Sequence, residues 1–169
     1  MAEPSLTSRD RIFALVEEQP GLHLRELPRR LGLSLRAVRY HLDTMAREEL
    51  VTSHRSGRFE RWFRAGAFSP VDQALISALR VRGQRAILER LLAHGPARFA
   101  TLRKAESLSP ATLSHDLDRL TAEGLVDAGD DRLYRLRDPG ALRMRLTLYR
   151  HRFPDLLADA AQEIFDEAV

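Results

Sequence analysis

Apolar residues along the chain form stripes of helical spacing, divided by short turn signals. In "LGLSLRAVRYHLDTM" (31–45), Val38, Leu42 and Met45 share one face, because helix residues three and four apart stack above one another. On the opposite face Arg36, Tyr40, Asp43 and Arg47 fall in line, with Arg39 at the margin. A constant shift of 75 lays residues 12–51 over 87–126 without a gap. Ile12 falls on Ile87, Leu27 on Leu102, Val38 on Leu113, Leu42 on Leu117, Met45 on Leu120 and Val51 on Val126, while Ser34 falls on Ser109. The pattern predicts two copies of one small fold.

Each copy reads alike. A helix near 9–18 (84–93) ends at a Pro/Gly turn, and a short extended piece follows at 22–24 (97–99). A second helix is expected over 26–31 (about 101–106). Gly32 then suits a left-handed residue after a helix, and Ser34 suits the N-cap of the next. "ELVTSHRSGRFERWF" (49–63) reads as two strands around Ser56-Gly57, and "GLVDAGDDRLYRL" (124–136) as a shorter hairpin. Helix, helix, turn, helix and hairpin make a winged helix-turn-helix. The expected fold class is mainly α with small β-hairpin wings (α+β). Its parts are a winged helix over 1–66, a connecting helix over 67–83, a second winged helix over 84–137 and a C-terminal helical segment over 138–169.

"LRELPRRLGLSLRAVRYHLDTMAREELV" resembles the DNA-binding core of ArsR/MarR-type winged-helix regulators. The layout as a whole is similar to the tandem winged-helix transcriptional regulators of archaea. The resemblance implies that the third helix enters the major groove of double-stranded DNA, where Ser34, Leu35, Arg36, Arg39, Tyr40 and Asp43 match the contact face. Arg is able to donate two hydrogen bonds to guanine or to reach phosphate, and Tyr40 can bond phosphate or stack. Asp43 could accept from cytosine N4, but an ion pair with Arg39 or Arg47 is the favoured expectation.

The first hairpin strengthens the reading. Arg55, Arg58, Arg61 and Arg64 lie within ten residues, interleaved with Phe59, Trp62 and Phe63. Arg55, Arg58 and Arg61 are expected on phosphate or in the minor groove, with Trp62 packed on the domain. The second copy carries Pro110, Ala111, Ser114, His115 and Asp118 on the equivalent face, and its tip, "DAGDD", has three acids that phosphate would repel. That half is expected to have lost strong DNA binding and to serve the dimer or a protein partner.

"SPVDQALISALRVRG" (69–83) opens with Ser69 as N-cap and Pro70 at the first helical position; its stripe suits packing between the copies, and Gly83 allows a break. In the tail, after Asp138 and Pro139, a stripe runs through Leu142, Leu146, Tyr149, Phe153, Leu156, Ala160 and Ile164, interrupted at Pro154. Such a stripe covers either the core of its own chain or a partner chain. The favoured expectation is a homodimer seam, presenting two first domains to a palindromic site.

Composition narrows the alternatives. The 169 residues are 44% hydrophobic and 30% charged, and no run approaches a membrane span. Absent cysteine fits a reducing cytoplasm and removes thiolate metal sites. The formal charge of +3 sits wholly in 1–66, with 12 Arg against 9 acids; 67–169 balance 15 bases with 15 acids. None of His23, His41, His54, His94, His115 and His151 forms an i, i+3 or i+4 pair, and no phosphate loop, HExxH or paired-carboxylate motif occurs. No enzyme activity, metal or cofactor is expected. The sequence points to a DNA-binding transcriptional regulator; the alternative is a winged-helix protein-interaction adaptor of chromosome organisation or the transcription machinery.

Overall fold

A computed structural model describes residues 6–154 and 156. The chain divides into two compact units, Met1–Ser77 and Ala78–Val169. The first holds α1 (Ser8–Glu18), β1 (Leu22–His23), α2 (Glu26–Leu31), α3 (Leu35–Arg47), β2 (Val51–Ser56) and β3 (Phe59–Arg64). Helix α4 (Pro70–Leu79) crosses the division. The second holds α5 (Arg82–His94), β4 (Ala97–Arg98), α6 (Phe99–Glu106), α7 (Pro110–Ala122), β5 (Val126–Ala128), β6 (Leu133–Leu136) and α8 (Pro139–Arg152). Each unit closes on an antiparallel three-stranded sheet, ordered β1-β3-β2 and β4-β6-β5. The fold is thus α+β, helices with small wings, as the pattern predicts.

The stripes become cores. Ile12, Val16, Leu27, Val38, Leu42 and Met45 are fully buried in unit 1, and Ile87, Leu88, Leu102, Leu113 and Leu120 in unit 2. Helices start where side chains satisfy their free N–H groups. Ser34 Oγ accepts from Ala37 N at 3.1 Å, Ser109 Oγ from Thr112 N at 3.1 Å, and Asp138 from Ala141 N at 2.8 Å. Among the left-handed backbone positions, two recur at matching places in the units, just after a helix. They are Gly32 (φ 66) and Glu49 (φ 57) in the first, Ser107 (φ 51) and Gly124 (φ 72) in the second.

Three expectations change in detail. The hairpin turn is Gly57-Arg58, since Ser56 and Phe59 still pair across the strands. The break between α4 and α5 comes before Gly83, at Val81, whose φ −111 and ψ 114 are extended. Gly83 instead lies within α5, where an added Cβ would run into the Asp116 carboxylate of α7. The described part of the tail stripe is largely covered within its own chain. Leu142, Tyr149, Phe153 and Leu156 are at most 6% exposed and Leu146 is half-buried, while Ala160 and Ile164 lie outside the described residues. Side chains already covered in one chain have little apolar surface left for a seam. The exposed apolar groups of α8 are Met144 and Leu148, one turn apart.

Candidate nucleic-acid interface

Helix α3 is held by Val38, Leu42 and Met45 inside and turns Leu35, Arg36, Arg39, Tyr40 and Asp43 outward. Leu35 is 46% and Tyr40 64% exposed, large for apolar and aromatic groups on a helix with a well-filled inner face. The Arg36 guanidinium makes no bond among the described residues. Arg39 Nη2 lies 3.9 Å from the half-buried Glu60 Oε2 on β3, a long and weak pair that aims the exposed arginine toward the wing. Asp43 departs from the expected ion pair. Arg47 turns back to the Asp43 carbonyl (3.3 Å) and the Thr44 hydroxyl (3.2 Å), so the Asp43 carboxylate has no cation among the described residues.

The wing brings Arg55 and Arg58 to the same side. Together with Leu24, Arg25, Leu35, Arg39, Phe59, Glu60 and His23 they line a cleft of about 580 Å³ between the start of α3, the β1 turn and the hairpin. Four guanidiniums against one carboxylate make that cleft attractive to an anionic polymer. Arg25, His23 and Glu60 were not singled out by the sequence pattern. Their place depends on β1 pairing with β3 from about forty residues away, Leu22 opposite Trp62 and His23 opposite Arg61. No local periodicity carries that pairing.

Arg61 corrects the sequence reading. It sits mid-sheet, opposite His23 on one side and His54 on the other, and only 8% of it is exposed. Its Nη1 donates to the Gly21 carbonyl at 2.9 Å and lies 4.0 Å from Glu26. β3 is the central strand with both faces covered: Trp62 joins the helical core, and Phe63 meets the Phe68 ring at 5.8 Å. Arg61 is therefore tied into the sheet of unit 1 and is not displayed beside Arg55 and Arg58, as the sequence pattern led one to expect. Beside it, burial first and the Arg61 charge second hold the His23 imidazole below its ordinary pKa.

Unit 2 shows a different surface. The outward residues of α7, Pro110, Ala111, Ser114, His115 and Asp118, include no arginine. Two of the wing acids are neutralised at home, Asp127 by Arg137 (2.8 Å) and Asp131 by Arg98 (3.0 Å). Among the described residues no group of three or more His, Cys, Asp or Glu could hold a metal ion, and no helix is long and apolar enough to cross a membrane.

Over 128 residues the chain is 26% identical to a protein of Methanocaldococcus jannaschii described as the uncharacterized HTH-type transcriptional regulator MJ1398. The match takes in 73% of this chain but only 31% of that protein's length. Among solved structures, the mRNA-binding domain of elongation factor SelB from E. coli, in complex with SECIS RNA, aligns with 77% of this chain and 97% of its own, at 15% identity and a TM-score of 0.37. Residues 6–76 match the family HTH_HVO_0163_N, an N-terminal HTH domain. That family match lies within Met1–Ser77, the unit that carries the arginine cleft.

Proposed function

We propose that the chain is a DNA-binding transcriptional regulator whose first unit reads duplex DNA sequence-specifically. The observation that carries this reading is the gathering of Arg25, Arg39, Arg55 and Arg58 around one cleft beside α3, with Arg36 next to them on the helix. The corresponding outward positions of α7 in unit 2 carry none, and Arg119, in its last turn, is half-buried. In this reading α3 lies in the major groove. Arg36 and Arg39 donate to guanine O6 and N7, Leu35 meets a thymine methyl, and the exposed Asp43 carboxylate accepts from cytosine N4. Ser34 and Tyr40 bond phosphate, while Arg55 and Arg58 carry the wing onto phosphate or into the minor groove. A homodimer on a palindromic site belongs to the reading, as do a protein partner for unit 2 and a cytoplasmic place of work.

The test begins with selection of bound duplexes from random DNA. On the selected site, Arg36→Ala or Arg39→Ala should each weaken binding by about 1–3 kcal/mol while leaving thermal stability within about 0.5 kcal/mol. Arg55 and Arg58 replaced together by Ala should weaken all duplexes alike and flatten the salt dependence by about 0.9 log units per lost phosphate contact. Unchanged affinity in the helix variants would remove the groove-reading assignment. The adaptor alternative is favoured by the self-neutralised wing of unit 2; it requires that residues 1–66 show no salt-sensitive duplex binding.

A further inference from the structure

The wing carries an aromatic ring that phosphate contact alone does not need. Phe59 follows the Gly57-Arg58 tip and opens β3, 42% exposed. It is nevertheless fixed. His23 meets it edge-on, with ring centroids 5.4 Å apart and planes at 75°, and the Arg58 guanidinium carbon lies 5.4 Å from its ring centroid. His23 is itself anchored in β1, with its Nδ1 accepting the Arg25 backbone N–H at 3.2 Å. The free part of the ring borders the arginine-lined cleft, with exposed Leu35 in the same lining.

A rigid apolar ring beside a guanidinium at a narrow hairpin tip matches what prying apart a base step demands. The cation meets the phosphates that flank a groove, and the ring packs on deoxyribose and against the edge of a stacked step. Pyrimidine–purine steps yield most easily to such a wedge.

We propose that Phe59 is an apolar wedge, entering the minor groove at a pyrimidine–purine step beside the half-site read by α3. The protein then bends its duplex and selects deformable sequence where no hydrogen bond reads a base. This rests on the reading of unit 1 as a duplex-DNA binder.

The experiment uses the full chain and two selected duplexes differing only at the step under the wing, TA in one and AA in the other. Affinity is titrated at fixed salt, and the bend is read by energy transfer between dyes at the duplex ends. The native chain should prefer the TA duplex by about tenfold, within the range of a single altered base pair, and should shorten the end-to-end distance. Phe59→Leu, still an apolar wedge, should keep most of both effects. Phe59→Ala should lose the step preference and the bend while keeping the half-site preference set by α3. A Phe59→Ala chain that bends and discriminates like the native protein overturns the wedge, as does a Phe59→Leu chain that folds yet loses both effects. Arg36→Ala separates the two ideas. If it binds as the native chain does, the groove-reading assignment is lost; if it weakens binding while Phe59→Ala changes nothing, the wedge alone is lost.

Discussion

Gly83 lies in the first turn of α5, and the Asp116 carboxylate explains why glycine stands there. Burial raises the Asp116 pKa; the Gln84 side chain, donating at 3.3 Å, works against that rise. The carboxylate sits against the first turn of α5, where unpaired N–H groups favour negative charge. A methyl at 83 would push it away, so Gly83→Ala should destabilise unit 2 by about 1–3 kcal/mol, the usual cost of overpacking, despite the gain in helix propensity. Urea unfolding followed by circular dichroism reads the sign, and a stabilised variant would mean the carboxylate moves aside freely. The arginines teach the same lesson about single positions. Arg58 and Arg61 are three residues apart in one hairpin, yet one caps the exposed tip and the other is buried beneath it. Residue type and spacing do not distinguish them; the central place of β3 does.

At the scale of elements, the two units solve one backbone problem with opposite residues. Gly32 and Ser107 occupy the left-handed position after the second helix of each unit, and Glu49 and Gly124 that after the third. A side chain with a Cβ is strained there, and glycine is not. Glu49→Gly and Ser107→Gly should therefore each stabilise the chain, by up to about 1 kcal/mol after the greater freedom glycine gives the unfolded state. A fall in the unfolding midpoint for either would show that its side chain makes compensating contacts. Most of this layer was legible in the sequence. The limits of α2 and α3, the Ser34, Ser109 and Asp138 caps and the left-handed Gly32 follow from periodicity and capping chemistry, which act within a few residues. What escaped was long-range: β1 reaching β3, the cleft that pairing creates, the burial of Arg61, and the close approach of Gly83 to α7.

For the whole molecule, the tail decides how unit 2 stands. Because Leu142, Tyr149, Phe153 and Leu156 are buried within the chain, truncation after Asp138 should expose the apolar surface they cover. Circular dichroism should show loss of unit 2 helix with unit 1 retained, and light scattering should show association of the exposed cores. A truncated chain that keeps all its remaining helix would return the stripe to the role of a seam between chains. If the homodimer forms, Met144 and Leu148 are the apolar side chains that α8 still offers to it.

Trp62 is the sole tryptophan of the chain, and it is 3% exposed in the core of the first unit, on the strand that also carries the wing. The protein thus contains a built-in optical reporter for one half of itself. Its emission should shift to the red only when unit 1 opens, whatever happens to unit 2, whereas far-ultraviolet dichroism sums both. Two unfolding curves that part company would reveal that the halves melt as separate cooperative bodies, without any label attached.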